Sequence, residues 1–85
     1  MKDIQAKELA KVFWLNVNDI RVQRGWSWAD LARECGASHS NIYTQWNKKQ
    51  AGFVTVARMA QAFDVPAFVL LADGVYTDYR GFPNE

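Results

Sequence analysis

The amino-acid sequence predicts an all-α fold, a compact bundle of about five helices, and three observations support this. The chain has 85 residues, the length of one domain, so residues 1–85 are expected to form a single unit. Apolar residues make up 49% of the chain and aromatic residues 14%, which suits a compact core and is unlike a disordered chain. The apolar residues recur at helical spacing between serines and glycines that are typical of helix ends.

The first helix is predicted over residues 4–24, with Gly25 as a suitable stop. Its main apolar stripe, at spacings of four, four and three, consists of Leu9, Phe13, Val17 and Ile20. Three further apolar side chains lie off that stripe: Trp14, Leu15 and Val22. This pattern leaves two alternatives, a helix covered on more than one side or a helix broken near the sequence NVND.

The second helix is predicted from its two ends. Ser27 can cap its start, and Asp30 three residues later completes an approximate capping box. Gly36 can adopt the left-handed backbone conformation that closes a helix without steric cost. The helix between them is expected to run from Trp28 to about Cys35. Its inward side chains are expected to be Leu31, Ala32 and Cys35.

The third helix is predicted over roughly residues 39–48, with Ser38 as its cap. Ile42 and Trp46 are four residues apart and are expected to point into the core. The side chains expected on its outer side are His39, Ser40, Tyr43, Thr44 and Asn47. The sequence KKQAG, residues 48–52, is interpreted as a loop.

A fourth helix is predicted from about Thr55 to Phe63, and a fifth within the sequence DVPAFVLLADG. The inward residues of the fourth helix are expected to be Val56, Met59, Ala60 and Phe63. Pro66 suits the first turn of the fifth helix, and Gly74 follows its end. Residues 75–85 form a tail with three alternatives: a short strand, an arm that packs on a partner, or a frayed end.

The composition argues against several classes of protein. The single cysteine, Cys35, excludes an internal disulfide framework, fits a reducing compartment and suits a small buried residue better than a redox switch. No apolar run approaches the roughly 18 residues of a membrane span, and the N-terminus lacks a signal peptide, so a cytoplasmic protein without a membrane partner is expected. One histidine and one cysteine offer no metal cluster, and no catalytic motif occurs. We therefore expect no enzyme activity, no metal and no cofactor.

The distribution of charge is more informative than the net charge of +1. From Cys35 to Phe63 the sequence contains no aspartate or glutamate. That segment carries three basic residues besides its histidine: Lys48, Lys49 and Arg58. A carboxylate-free, weakly basic segment can face a polyanion such as nucleic acid. Chance in a short chain explains the same feature equally well.

The segment RGWSWADLARECGASHSNI resembles the helix-turn-helix of the phage-repressor and Cro-like family of DNA-binding proteins, often called XRE-like. The residues that match the family pattern are Ser27, Leu31, Ala32, Gly36, Ser38 and Ile42. The flanking segments NDIRVQRGWS and VARMAQAFDVPAFVLL resemble the first, fourth and fifth helices of the family, so the resemblance covers about residues 16–74. Three positions depart from it: Trp28 replaces a glutamine, Gln45 replaces an apolar residue, and NKKQAG replaces the usual Glu-X-Gly.

The resemblance implies a central helix-turn-helix whose third helix enters the major groove of double-stranded DNA. It implies a sequence-specific transcriptional regulator, a small phage-type or bacterial repressor that binds a two-fold operator as a homodimer. The dimer surface is expected on the extra apolar residues of the first helix or on the aromatic tail. The tail residues in question are Tyr76, Tyr79 and Phe82. The alternative is a protein-interaction module on the same fold, an antitoxin or a regulatory protein partner, with weak or no DNA binding.

The resemblance also assigns candidate contacts with DNA. His39, Ser40 and Thr44 match positions whose side chains meet base edges. The residues expected to contact or neutralise the phosphate backbone are Trp28, Ser38, Asn41, Tyr43, Lys48 and Lys49. Asn47 lies on the same outer face, and Arg24 is a less favoured phosphate contact from the first helix.

Overall fold

A computed structural model describes residues 3–72 of the chain. This part of the chain forms five helices: α1 (Asp3–Gln23), α2 (Trp28–Cys35), α3 (His39–Lys48), α4 (Phe53–Phe63) and α5 (Ala67–Leu71). No strand occurs within it, so the predicted all-α bundle is confirmed. None of its helices combines the length and apolar character needed to cross a membrane. The predictions for Gly74 and for the tail, residues 75–85, lie outside the described residues.

Helix α1 is continuous through the NVND sequence and is covered on more than one side. Its stripe residues Phe13, Val17 and Ile20 are fully buried, whereas Leu9, the fourth residue of the predicted stripe, is 37% exposed. Trp14, which lies off the stripe, is also fully buried. The core therefore begins before residue 16, where the family resemblance starts. The other two residues off the stripe, Leu15 and Val22, are exposed.

One buried polar residue of α1 holds the end of α5. Asn16 is 8% exposed, and its side-chain amide nitrogen donates hydrogen bonds to the carbonyl oxygens of Leu70 at 2.9 Å and Ala72 at 3.2 Å. Carbonyl groups at a helix C-terminus have no partner within the helix. The Asn16 amide supplies that partner and fixes the five-residue helix α5 against α1.

The turn between α1 and α2 places the start of α2. Gly25 adopts a left-handed conformation with φ of 72°, and the Trp26 N–H donates back to the Arg21 carbonyl oxygen at 3.0 Å. The Arg21 guanidinium donates to the carbonyl oxygen of Trp26 at 2.7 Å and to the Asn18 side chain at 2.9 Å. The backbone bond from Trp26 to Arg21 closes α1 as in a Schellman motif, as the position of Gly25 predicted, and the guanidinium bonds hold the turn that follows.

A complete capping box starts α2, as predicted. The Asp30 N–H donates to the Ser27 hydroxyl oxygen at 3.0 Å, and the Ser27 N–H donates to the Asp30 carboxylate at 2.9 Å. The hydrogen bond from the Ser27 N–H lowers the pKa of Asp30, and Arg33 at 3.0 Å lowers it further. The ionised Asp30 carboxylate therefore stabilises the folded state fully above the pKa of an unfolded aspartate. This contribution is lost as the pH falls through the lower pKa that Asp30 has in the folded protein.

Replacing Ser27 with alanine is expected to lower the free energy of unfolding by about 1 kcal/mol, because one amide at the start of α2 loses its acceptor. Ser38→Ala should cost a similar amount, since Ser38 caps α3 in the same way. Ser40→Ala is the matched control, because Ser40 is exposed inside α3. Urea denaturation followed by circular dichroism measures all three. Equal stability of the three variants would contradict the capping assignment.

The ends of α3, α4 and α5 differ from the prediction in detail. Lys49, in a left-handed conformation with φ of 53°, ends α3 without a glycine. Helix α4 begins at Phe53, two residues earlier than expected, and ends at Phe63 as predicted, followed by Asp64 as a left-handed C-cap. Pro66 is the N-cap of α5 and so lies just before the first turn. Of the expected inward residues of α4, Met59, Ala60 and Phe63 are buried, and Val56 is half-buried.

Candidate nucleic-acid interface

Helices α2 and α3 are joined by a turn of three residues, 36–38. Gly36 has a φ of 69°, and the Ala37 N–H donates to the Ala32 carbonyl oxygen at 3.0 Å, which closes α2. The Ser38 hydroxyl then accepts from the Asn41 N–H at 3.2 Å and starts α3. Ile42 is 3% exposed and belongs to the same buried cluster as Leu31 of α2. The turn therefore sets the direction of α3, and Ile42 anchors it from beneath.

The opposite side of α3 is exposed and polar. The exposed side chains on this helix are His39, Ser40, Asn41, Tyr43, Thr44, Asn47 and Lys48. All five side chains predicted to face outward are among them. We call these seven residues the outer face of α3. Within residues 3–72, none of them is buried against another helix of the chain.

The electrostatic environment of this face suits an anion. The carboxylate-free segment from Cys35 to Phe63 contains the whole of α3 and α4. The N-terminus of α3 carries the partial positive charge of a helix dipole, and its exposed first turn contains no acidic residue. Lys48 adds a full charge at the other end of the helix. The face therefore has the positive end of the helix dipole at its start and the Lys48 ammonium at its other end.

Trp28 lies in an aromatic cluster that braces α3. Its ring centroid lies 4.9 Å from that of Trp46 and 6.1 Å from that of Tyr43. The Arg21 guanidinium lies 4.4 Å from the centroid of the Trp28 ring, within the range of a cation–π interaction. Trp46 was predicted to be inside the core, but it is half-buried at the edge, next to Trp14. The predicted phosphate contact of Trp28 stays a prediction, and its visible role is packing.

Two of the predicted phosphate contacts bind to their own chain. The Lys49 ammonium donates to the Trp46 carbonyl oxygen at 2.8 Å and lies 3.8 Å from the centroid of the Trp46 ring. The Arg24 guanidinium donates to the Phe63 carbonyl oxygen at 2.7 Å and lies near the rings of Trp26 and Phe63. Both cations thus cap helix ends, whereas Lys48 points its charge to the surface. Of these three cations, Lys48 is the best placed for a phosphate.

Gln45 and Thr55 lie behind the outer face, and the sequence analysis did not identify them as candidate site residues. The Thr55 hydroxyl of α4 donates to the Gln45 side-chain oxygen at 2.9 Å, and the Gln45 amide nitrogen reaches the Asn41 side-chain oxygen at 3.4 Å. This chain of contacts ties α3 to α4 and orients Asn41. The only sequence signal for it was the polar Gln45 at a position where the resemblance implies an apolar residue.

Arg58 was also missed as a candidate site residue. Its guanidinium lies 3.4 Å from the Gly36 carbonyl oxygen, and its side chain is exposed beside the turn that precedes α3. The charge therefore lies near the N-terminus of α3, where it adds to the helix dipole. Its presence in the carboxylate-free segment was the signal that pointed to it.

Cys35 is a buried thiol in the core beneath α3. Its sulfur donates to the Met59 sulfur at 3.4 Å. Burial raises the pKa of the Cys35 thiol to about 11, although the charge of Arg58 opposes this. The thiol is therefore protonated at neutral pH, as expected of a small buried cysteine.

Comparison of the chain with protein-family models, with curated proteins and with solved structures found no match. The resemblance to the phage-repressor and Cro-like family therefore remains a prediction from the sequence.

Proposed function

We propose that the protein is a sequence-specific DNA-binding transcriptional regulator, a small repressor that acts in the cytoplasm. It binds a two-fold operator as a homodimer, with α3 in the major groove. The observation that carries this proposal is the outer face of α3, seven exposed side chains on a helix that a buried isoleucine anchors from below. A major groove about 12 Å wide admits one such helix. The absence of carboxylates from α3 and α4 keeps this side compatible with phosphate.

The side chains of the face divide into two roles. His39, Ser40 and Thr44 are exposed on α3 and meet base edges, where hydroxyl and imidazole groups donate and accept. The amides at the start of α3, together with Ser38, meet the phosphate backbone. Lys48 neutralises a phosphate at the far end. Base contacts supply the sequence preference, and phosphate contacts supply most of the affinity.

The dimensions of the molecule agree with binding to two half-sites. Its principal extents are 35, 32 and 19 Å. Two half-sites one DNA helical turn apart need equivalent helices about 34 Å apart, a distance comparable with the length of one copy. A second copy is needed because none of the three candidate base-contacting side chains forms the strong bidentate pair of an arginine with guanine.

Ser40→Ala and Thr44→Ala are each expected to change the preference among duplexes by about 0.5–1.5 kcal/mol at one base position, since each removes a single direct base contact. Selection of bound duplexes from a random pool, repeated with each variant, measures this change. Circular dichroism should show an unchanged fold because both side chains are exposed. If the protein and both variants selected identical sequences, the proposal that α3 contacts base edges would be contradicted.

Lys48→Ala is the companion variant for the phosphate contact. It should weaken every duplex alike and reduce the slope of log K against log salt by about 1. Lys7→Ala is the matched control, because Lys7 is an exposed lysine on α1, outside α3. Fluorescence anisotropy at several salt concentrations gives both slopes. An equal loss of slope for the two lysines would mean that Lys48 contributes only to the overall charge of the molecule and makes no specific phosphate contact.

A second candidate function is a protein-interaction module, and two observations favour it. Lys49 and Arg24, which were expected to meet phosphate, bind their own chain instead. Phe53 is 94% exposed and Val54 is 66% exposed, which is typical of a surface that meets another protein. The salt titration separates the two functions, since DNA binding loses about 0.9 log units of affinity per tenfold salt for each phosphate neutralised. A weak response without salt dependence on every duplex favours the protein partner.

A further inference from the structure

An exposed phenylalanine lies next to an apolar groove that is large enough for an aromatic ring. Phe53 is the first residue of α4, and 94% of its surface is exposed. The groove has a volume of about 300 Å³ and lies between α1, the start of α4 and the end of α5. Its lining residues besides Phe53 are Leu9, Ala10, Phe13, Ala51, Val56 and Leu71. Every lining residue in the part of the chain that the structure describes is apolar.

We propose that a second copy of this chain occupies this groove, with Phe53 of each copy inserted into the groove of the other. A two-fold interface brings the same patch of both copies together, so a patch that pairs with itself needs both a projection and a recess. Phe53 is the projection, and the groove beside it is the recess. A cavity of about 150 Å³ lined by apolar side chains is large enough for benzene, so a groove of twice that volume admits a phenyl ring.

The rim of the groove also matches the usual anatomy of an interface. On α1 the groove-lining residues Leu9 and Ala10 lie between Glu8 and Lys11 in the sequence, and these two charged residues are both exposed and lie 3.5 Å apart. Protein interfaces typically combine an apolar centre with a polar rim that stays in contact with water. The groove and its rim therefore suit a protein surface better than a small charged ligand.

The area of the patch predicts a weak dimer. An aromatic side chain buries about 150–250 Å², so the two reciprocal phenylalanines contribute about 300–500 Å², well below the roughly 1,200 Å² of a standard interface. Such a dimer forms at high protein concentration and dissociates on dilution. The proposed operator would strengthen it, because two adjacent half-sites hold both copies at a high effective concentration.

This inference deepens the proposed function, and only the strengthening by an operator rests on it. Residues 49–52 connect the patch directly to the end of α3. The two-fold axis would therefore lie beside the C-terminal ends of the two α3 helices. Dimerisation is measured without DNA, so its failure and a failure to bind DNA are distinguishable.

Phe53→Asp in the full chain tests the interface by sedimentation equilibrium. For the unaltered protein, the average mass should rise from 9.7 kDa towards twice that value as the concentration increases. Phe53→Asp should raise the dimer dissociation constant at least tenfold. Because an acidic residue is favourable in the first turn of a helix, α4 should stay folded. Phe53→Leu, which keeps an apolar projection, should restore most of the association.

Val22→Asp tests the alternative dimer surface on the extra apolar residues of α1, since Val22 is 59% exposed there and does not line the groove. Its dissociation constant should stay within twofold of that of the unaltered protein. A protein that stays monomeric at every concentration would overturn the proposal, and so would equal effects of Phe53→Asp and Val22→Asp.

A cross-linking experiment identifies the occupant directly. A photoreactive benzophenone side chain at position 53 is irradiated in an equal mixture of ¹⁴N-labelled and ¹⁵N-labelled full chains. We expect cross-links between the two isotopes that map to residues 9–13, 56 or 71. Cross-links confined to one isotope, including any that map to residues 73–85, would assign the groove to the chain's own segment and overturn the proposal.

Discussion

Replacing Trp14 with alanine is expected to lower the free energy of unfolding by about 3–5 kcal/mol, the usual cost of removing a large buried aromatic side chain. Trp14 is fully buried, and its ring centroid lies 5.0 Å from that of Phe13 and 6.4 Å from that of Trp46. Its indole N–H also donates to the Gln50 carbonyl oxygen at 2.9 Å. This bond joins α1 to the loop that follows α3. The variant therefore loses core packing and a link to the candidate site together.

Two companion variants separate these effects. Trp14→Phe keeps most of the ring and loses the indole N–H, so it should cost less than the alanine variant and should loosen residues 49–52 selectively. Leu15→Ala is the control, because Leu15 is the next residue on α1 and is 52% exposed. Urea denaturation measures stability, and hydrogen exchange of the loop amides measures the link. A loss below 1 kcal/mol for Trp14→Ala would show that Trp14 is not part of a packed core.

Replacing Asn16 with aspartate is expected to lower the free energy of unfolding by about 3–5 kcal/mol at neutral pH, the usual cost of an uncompensated buried charge. The side chain keeps its shape but loses the amide that donates to the Leu70 and Ala72 carbonyl oxygens. A carboxylate would face two carbonyl oxygens in a buried site. Burial raises the pKa of such a carboxyl group, so the loss should shrink as the pH falls through that raised value and the group gains a proton to donate.

Asn18→Asp provides a matched control for this prediction. The Asn18 side-chain oxygen already accepts hydrogen bonds from the Arg21 guanidinium at 2.9 and 3.3 Å. A carboxylate there would face a cation, so the same substitution two positions along α1 should be neutral or slightly stabilising at pH 7. Thermal unfolding at pH 4 and pH 7 compares the two variants. Equal losses for both would contradict the assigned role of Asn16.

These two substitutions test the scaffold, whereas the variants in α3 test the interface. Neither Trp14 nor Asn16 lies on the outer face of α3. A stability loss without a change in duplex preference would therefore be expected from a mild variant such as Trp14→Phe. This separation allows defects in folding and defects in recognition to be told apart.

Much of the helix-turn-helix could be predicted because its determinants are local. The capping box of Ser27 and Asp30, the left-handed Gly36 and the cap at Ser38 each act within a few residues of the helix end that they define. Apolar periodicity likewise identified Ile42 as the buried anchor of α3. The bounds of α2 and α3 and the outward direction of the polar side chains follow from these residues.

The sequence predicted the roles of the cations and tryptophans less well. Lys49 was expected to be a phosphate contact in a loop, but it closes α3 in a left-handed conformation and covers the Trp46 ring. Arg24 contacts the end of α4, which is 39 residues away along the chain. A long basic side chain has both a charge and an apolar stem, so its partner depends on which surfaces lie within reach. The sequence contains no local signal for that choice.

The sequence by itself determined the helices, their caps and which side of α3 is polar, because hydrogen bonds and apolar spacing over a few residues decide these features. Only the tertiary structure decided that Trp28 braces α3 beneath Arg21, that Asn16 holds α5, and that Phe53 stands beside an apolar groove. These contacts join residues from different helices. They exist only once packing has set the distances between those helices, and no spacing within one helix specifies them.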